Sequence, residues 1–157
     1  MKKRTKYGRD HDTLVLFYQV SDAITKVREN EIRPFGISSG VQAGVLYHLG
    51  ISNKPLTIGE ISRRLVRKPH TISMLLDRME RQGLIRRNKE PTERSQIMVE
   101  ITEKGALAYK RASKMRAVEE IFSNLTEKQR ENLISYLKTL RTKAFQNLGE
   151  NLQPPYP

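Results

Sequence analysis

The 157-residue chain contains no cysteine, which removes disulfides, thiolate metal sites and thiol-based redox switching from consideration. Long apolar runs are missing too. No segment approaches the roughly 20 residues needed to span a bilayer, and the basic stretch Met1–Asp10 is not followed by an apolar run of signal-peptide length. A cytoplasmic location with no membrane partner is therefore expected. Neither a glycine-rich phosphate loop nor a nucleophile elbow occurs. His11, His48 and His70 are scattered too widely to give metal-ligand spacing. The expectation is a protein that is not an enzyme, with no catalytic residues, no metal and no cofactor.

Acidic residues are outnumbered, 17 Asp and Glu against 29 Lys and Arg, leaving a net charge of +12. Such an excess implies a polyanionic partner, favoured by attraction and by counterion release from phosphates. By itself it does not separate DNA from RNA or from an acidic membrane surface. The hydrophobic fraction of 37% is low for one large core. It suits a small core with amphipathic helical extensions that bury their apolar faces elsewhere, including on a second subunit.

Between a basic arm (Lys2, Lys3, Arg4, Lys6) and a proline-containing tail, the chain reads as helices interrupted once by a hairpin. Phe17, Val20, Ile24 and Val27 make an apolar stripe over Asp12–Glu31, which Pro34 and Gly36 end. Ser39-Gly-Val-Gln42 reads as a capping box opening a second helix with Val41, Val45, Leu46 and Leu49 inward and Gly50 placed to stop it. Pro55-Leu-Thr57 is a short extended connection. Thr57-Ile-Gly-Glu60 is a second capping box, starting a helix through Leu65. After a break at Val66–Lys68, Pro69 occupies a first-turn position where its missing N–H costs nothing. The helix to Gln82 buries Ile72, Leu75, Leu76 and Met79, and Gly83 closes it. Two helices joined by so short a break make a helix-turn-helix.

The period then changes to that of strands, over Leu84–Asn88 and Ile97–Ile101, with the polar stretch 89–96 between them: a wing. One long helix is expected over Glu103–Ser123, with Met115, Val118, Phe122 and Leu125 in line. Thr126-Glu-Lys-Gln129 caps a last helix striped by Leu133, Leu137, Leu140, Ala144 and Leu148. These outer stripes lie beyond the small winged core, and isolated helices of this length are marginal unless packed, so a shared two-chain interface is expected.

From Ser39 to Ala106 the order and wording of these segments resemble the MarR family of winged helix-turn-helix regulators. The carrying stretches are Thr57-Ile-Gly-Glu-Ile-Ser-Arg-Arg-Leu65, Pro69-His-Thr-Ile-Ser-Met-Leu-Leu-Asp-Arg-Met-Glu-Arg-Gln-Gly-Leu-Ile-Arg-Arg87 and Ile101-Thr-Glu-Lys-Gly105. The resemblance implies a mainly α fold with a small β-hairpin wing and flanking dimerisation helices. It also implies a homodimer that binds a roughly palindromic operator on double-stranded DNA, released by a small-molecule effector. The chain divides into a basic arm (1–10), an N-terminal dimerisation helix (11–36), the DNA-binding region (37–102), C-terminal dimerisation helices (103–149) and a tail (150–157). Three positions depart from the family pattern. Lys68 stands where Ser is frequent, Arg67 where an apolar residue is common, and Glu93-Arg94-Ser95 where the wing usually has Asp-x-Arg.

With the core positions turned inward, the recognition helix presents His70, Thr71, Ser73 and Met74 to base edges; the alternative is an ordinary solvated face. Arg63, Arg64, Arg67 and Lys68 are candidate phosphate contacts, against the alternative of a solvated charge run. Arg78 suits an ion pair as well as a phosphate. Of Arg86 and Arg87, which face opposite ways along a strand, one is expected to reach DNA. Lys89 and Arg94 are the wing's candidates for a phosphate or the minor groove. Tyr18, Tyr47 and His48 are candidate effector-lining residues, with a buried structural histidine as the alternative. A repressor-type regulator is the expected function; the alternatives are an architectural DNA-binding protein without effector and a module whose winged fold binds protein.

Overall fold

The computed structural model describes residues 8–52, 54–89 and 96–149, with only the backbone at Lys89. Helix α1 (Gly8–Ile32) leads through a 3-10 turn (Arg33–Phe35) to α2 (Gly40–Ser52). Strand β1 (Leu56–Thr57), α3 (Ile58–Leu65), α4 (Pro69–Arg81), β2 (Ile85–Lys89) and β3 (Ile97–Ile101) follow. The chain then continues through α5 (Glu103–Ala112), α6 (Arg116–Phe122) and α7 (Glu127–Asn147). The fold is mainly helical with a small antiparallel sheet, as the sequence predicts. Of the arm expected over residues 1–10, residues 8–10 belong to α1 instead; residues 1–7 and the tail 150–157 lie outside the described residues.

The core is the winged lobe. Val45, Leu46 and Leu49 of α2, Ile61 of α3 and Ile72, Leu75, Leu76 and Met79 of α4 are buried together with Leu84, Ile85 and Val99 of the sheet. The expected inward positions on α4 are thus all inward. Thr57 and Thr126 both form complete capping boxes, with Glu60 and Gln129 respectively. The wing differs by one strand: Leu56 and Thr57, expected as a plain connection, pair with Val99 and Met98, giving the order β1-β3-β2. Burial of the Leu56 side chain brings its backbone against the edge of β3.

Several helix boundaries also differ. α1 begins at Gly8, four residues before the predicted start. The first capping box forms only in half: Ser39 Oγ accepts from Gln42 N–H at 3.3 Å, but the Gln42 side chain turns to the N–H and hydroxyl of Ser38 instead. Gly50 does not stop α2, which runs on to Ser52.

The largest correction concerns the long helix expected over Glu103–Ser123. It is broken between α5 and α6, where Met115 takes a left-handed conformation at φ 45°. Two side chains of α1 hold this joint. Arg28 donates to the carbonyl of Ala112, at the end of α5, at 2.7 Å and to Glu31 at 2.8 Å. Glu31 in turn accepts the N–H of Ala117, in the first turn of α6, at 3.0 Å. A cation thus meets the carbonyl end of one helix and an anion the amide end of the next, satisfying groups that each terminus leaves open. Burial alone would raise the Glu31 pKa, but the bonds from Ala117 and Arg28 outweigh it and hold the carboxyl below its ordinary value of 4.5. A depressed folded-state pKa contributes stability above the unfolded value and loses it as pH falls through the folded one. In thermal melts stepped downward from pH 5, the wild type should therefore lose Tm more steeply than Glu31→Gln.

One glycine is dictated by contact. A Cβ on Gly105 would lie 2.0 Å from the carbonyl oxygen of Leu84, where the first turn of α5 crosses the chain entering β2. Thr102 secures the same crossing, its N–H donating to Leu84 O and its hydroxyl to Gly83 O at 2.7 Å. Gly105→Ala should cost about 1–3 kcal/mol, the usual range for overpacking, measured by urea denaturation.

Outside the lobe, α1 and α7 leave apolar side chains uncovered. Leu14, Val15, Leu16, Phe17, Tyr18 and Val20 are exposed on α1, and Ile134, Tyr136, Leu137 and Leu140 on α7. Ile32 alone of α1 is fully buried, and α7 buries none of its residues.

Candidate nucleic-acid interface

The recognition helix is built to present its first turns outward. Pro69 opens α4, and its N-cap Lys68 makes no side-chain capping bond, so the first turn keeps amides without a side-chain cap. His70, Thr71 and Met74 are exposed, Met74 with 55% of its surface, and Ser73 is half-buried beside them. An exposed Met on such a helix, next to two hydroxyls, offers an apolar contact for a thymine methyl and bonds to several base edges.

The preceding turn carries the charge. Val66, left-handed at φ 52°, ends α3, its N–H bonding to Arg63 O and Ser62 O. Arg63, Arg67 and Lys68 are exposed. Arg64 is half-buried instead. Burial first, and then the charge of Arg64, pushes the His48 pKa down. Three cations are therefore displayed at the N-terminal end of α4 and a fourth is partly turned inward.

The two wing arginines separate as the strand geometry requires. Arg87, 20% exposed, is locked inward: its Nη2 lies 2.7 Å from both Asp77 and Glu80, and its N–H donates to Glu80 at 2.9 Å. The Glu80 hydrogen bond holds its pKa above the ordinary arginine value. Arg86, 67% exposed, pairs with Glu100 across the hairpin. Arg87 thus ties β2 to α4, a structural role that sequence reasoning left undivided between the pair. Arg78 is exposed and makes no ion pair among the described residues. Lys89 ends β2, and Arg94 lies outside the described residues.

Of the three candidate effector residues, two come together. The Tyr47 ring meets His48 at 5.2 Å and Tyr109 of α5 at 6.1 Å, both edge-on. Burial raises the Tyr109 pKa. Tyr18 is on the exposed face of α1, its ring 6.3 Å from Phe17. A concavity of about 360 Å³ lies elsewhere, at the C-terminal end of α4, between Phe35, Leu84, Lys104, Leu107 and Arg111. None of the three candidates lines it. Tyr109 and the Arg28–Glu31 joint were missed from the sequence. Their partners are on distant elements, although an Arg and a Glu three apart on α1 are compatible with a local pair.

A short helix pair, an exposed second helix with cations at its start, and a three-stranded wing define a winged helix-turn-helix carried between long flanking helices. The MarR family model matches residues 35–94, the stretch that contains α2, α3, α4 and the start of the wing. Over that stretch the chain is similar to the MarR family of winged helix-turn-helix proteins. No curated protein matches it by sequence. Among solved structures, the organohalide-sensing transcriptional regulator RdhR in its 2,4-dichlorophenol-bound form superposes with a TM-score of 0.89 at 20% identity, covering 100% of this chain and 95% of that one. A mutant MarR from E. coli complexed with operator DNA gives 0.73 at 21% identity, over 80% and 90% of the two chains. The transcriptional repressor CouR bound to a 23-mer DNA duplex gives 0.73 at 23%, over 80% and 89%. These likenesses establish the fold.

Proposed function

We propose that this protein is a cytoplasmic transcriptional repressor that binds a pseudo-palindromic operator as a homodimer and is released by a small ligand. The observation that carries it is the joint display of Arg63, Arg67 and Lys68 with His70, Thr71 and Met74 at the uncapped start of α4. Cations that meet phosphate sit directly beside side chains that read bases, which is what specific binding needs. Arg78, Arg64 and the wing residues Lys89 and Arg94 extend this surface in the proposal. The exposed apolar faces of α1 and α7 support the dimer, and two lobes then present recognition helices about one duplex turn (~34 Å) apart. For the ligand, the support is the organohalide sensor bound to 2,4-dichlorophenol. The Tyr47–His48–Tyr109 cluster between α2 and α5 is the candidate place. A ligand acts there only through different affinities for the DNA-bound and free forms.

The test is a gel-shift titration of the protein's own upstream region, with unrelated DNA as competitor, over a range of salt. The proposal expects the upstream duplex to bind about a thousandfold more tightly. Equal binding of both DNAs favours an architectural DNA-binding protein instead. No binding even at low salt favours a partner-binding module.

A further inference from the structure

Gln42, on α2, is buried to 1% exposure, an unusual place for an amide unless all of its groups are bonded. Its Oε1 accepts from the N–H of Ser38 at 2.8 Å and from the Ser38 hydroxyl at 3.1 Å. Its Nε2 donates to Oε1 of Gln82, at the C-cap of α4, at 3.1 Å. The connection continues on both sides. One residue before Val41, the N–H of Gly40 donates to Glu29 of α1 at 3.2 Å. On the far side, Lys104 of α5 donates to the carbonyl of Gln82 at 2.6 Å. A run of hydrogen bonds thus joins α1, the start of α2, the end of α4 and the start of α5.

The two ends of α4 are held very differently. Its C-terminal end is fixed by Gln82, by Arg87 on Asp77 and Glu80, and by the N–H of Leu84 on Met79 O. Its N-terminal end, with no side-chain cap, rests on apolar packing by Ile72 and Leu75. The helix is 13 residues long, so at 1.5 Å per residue the reading end sits ~18 Å from the fixed end. A tilt of ~5° about the fixed end moves the reading side chains by roughly 1.5 Å, enough to spoil hydrogen bonds to base edges, whose donor–acceptor distances span only about 0.5 Å.

We propose that Gln42 is a positioning residue for base recognition: through Gln82 it sets the tilt of α4 against α2 and the dimer helix α1. This rests on the DNA-binding proposal above. Phosphate contacts from the flexible side chains of Arg63, Arg67 and Lys68 tolerate such a tilt. Base contacts from the short side chains of Thr71 and Ser73 do not. Loss of the tie therefore lowers specificity while leaving general affinity in place.

Gln82 is exposed, so its side chain can be changed without opening the core. Gln82→Ala deletes the acceptor for Gln42, whereas Gln82→Glu keeps an acceptor oxygen in the same place. In Gln82→Ala the ratio of affinity for upstream over unrelated DNA should fall about fivefold with the salt slope unchanged, and Gln82→Glu should restore it. In the free protein, amide hydrogen exchange at Arg81–Leu84 should rise about tenfold in Gln82→Ala and return towards wild type in Gln82→Glu. Equal behaviour of the two variants in both measurements overturns the proposal. So does altered exchange with an unaltered affinity ratio, because the tie would then be structural only. If the wild type itself does not discriminate between the DNAs, the DNA-binding proposal fails, while the exchange comparison still accepts or rejects the tie.

Discussion

Replacing Arg63, Arg67 and Lys68 together by alanine should lower affinity for every duplex by about two orders of magnitude near 0.15 M salt. Each phosphate contact that displaces a counterion contributes about 0.9 to the slope of log affinity against log salt, so the three together should flatten that slope by about 2.7. All three side chains are exposed, and none is part of the buried core. The variant should therefore melt like the wild type, which separates lost charge from lost fold. The loss should fall equally on upstream and unrelated DNA, because phosphates carry no sequence information. Thr71→Ala and Ser73→Ala should do the opposite, reducing the preference for upstream DNA at an unchanged slope. Fluorescence anisotropy over a salt series measures both. A triple variant with the wild-type slope would remove these residues from the interface.

The second large effect concerns α7. Leu137 and Leu140 are 40% and 60% exposed, on a 21-residue helix that fully buries none of its residues within its own chain. A helix so isolated depends on packing for its stability. Covering these two leucines in both chains of a dimer contributes on the order of 4 kcal/mol, after discounting for the part of each side chain already shielded. The double variant Leu137→Glu, Leu140→Glu removes that gain and adds four carboxylates to the seam. Its dimer should dissociate at least about a thousandfold more readily. In sedimentation equilibrium the wild type should behave as about twice the 18.2 kDa chain, and the variant as one chain with reduced helix content. A wild type that sediments as a monomer at micromolar concentration would mean that α1 and α7 do not form a dimer seam.

The lobe was readable because its signals are local. Period and punctuation place α3, α4 and the wing: Thr57 with Glu60 at one start, Pro69 at the next, and Gly83, left-handed at φ 72°, at the turn into β2. The core positions of α4 follow from the same period. What escaped depends on partners far away in the chain. β1 is two residues long and exists as a strand only because Val99 and Met98 pair with it. The break before α6 lies in residues that favour helix, and it is held by Arg28 and Glu31 some 85 positions earlier. Gln42 looked like the last residue of a capping box, yet its amide reaches across to Gln82, forty positions on. The early start of α1 escaped for another reason: Gly8–Asp12 holds no apolar residue from which to read a period.

The same contrast applies to the DNA-contact candidates. Exposure separates Arg63, Arg67 and Lys68 from Arg64, and burial against Asp77 and Glu80 separates Arg87 from Arg86. In sequence each of these is a run of like charges. Only the fold turns one member outward and its neighbour inward.

In the proposed function, two copies of this winged lobe read one operator from the same side of the duplex. Hydroxyl-radical footprinting of the upstream region, at a salt concentration where unrelated DNA is released, shows this arrangement or its absence. Two short protected patches are expected on one face of the duplex, centred about one helical turn apart (~34 Å) and related by an approximate two-fold axis. A single patch, or even protection spread along the whole fragment, would rule out a paired reading of the operator.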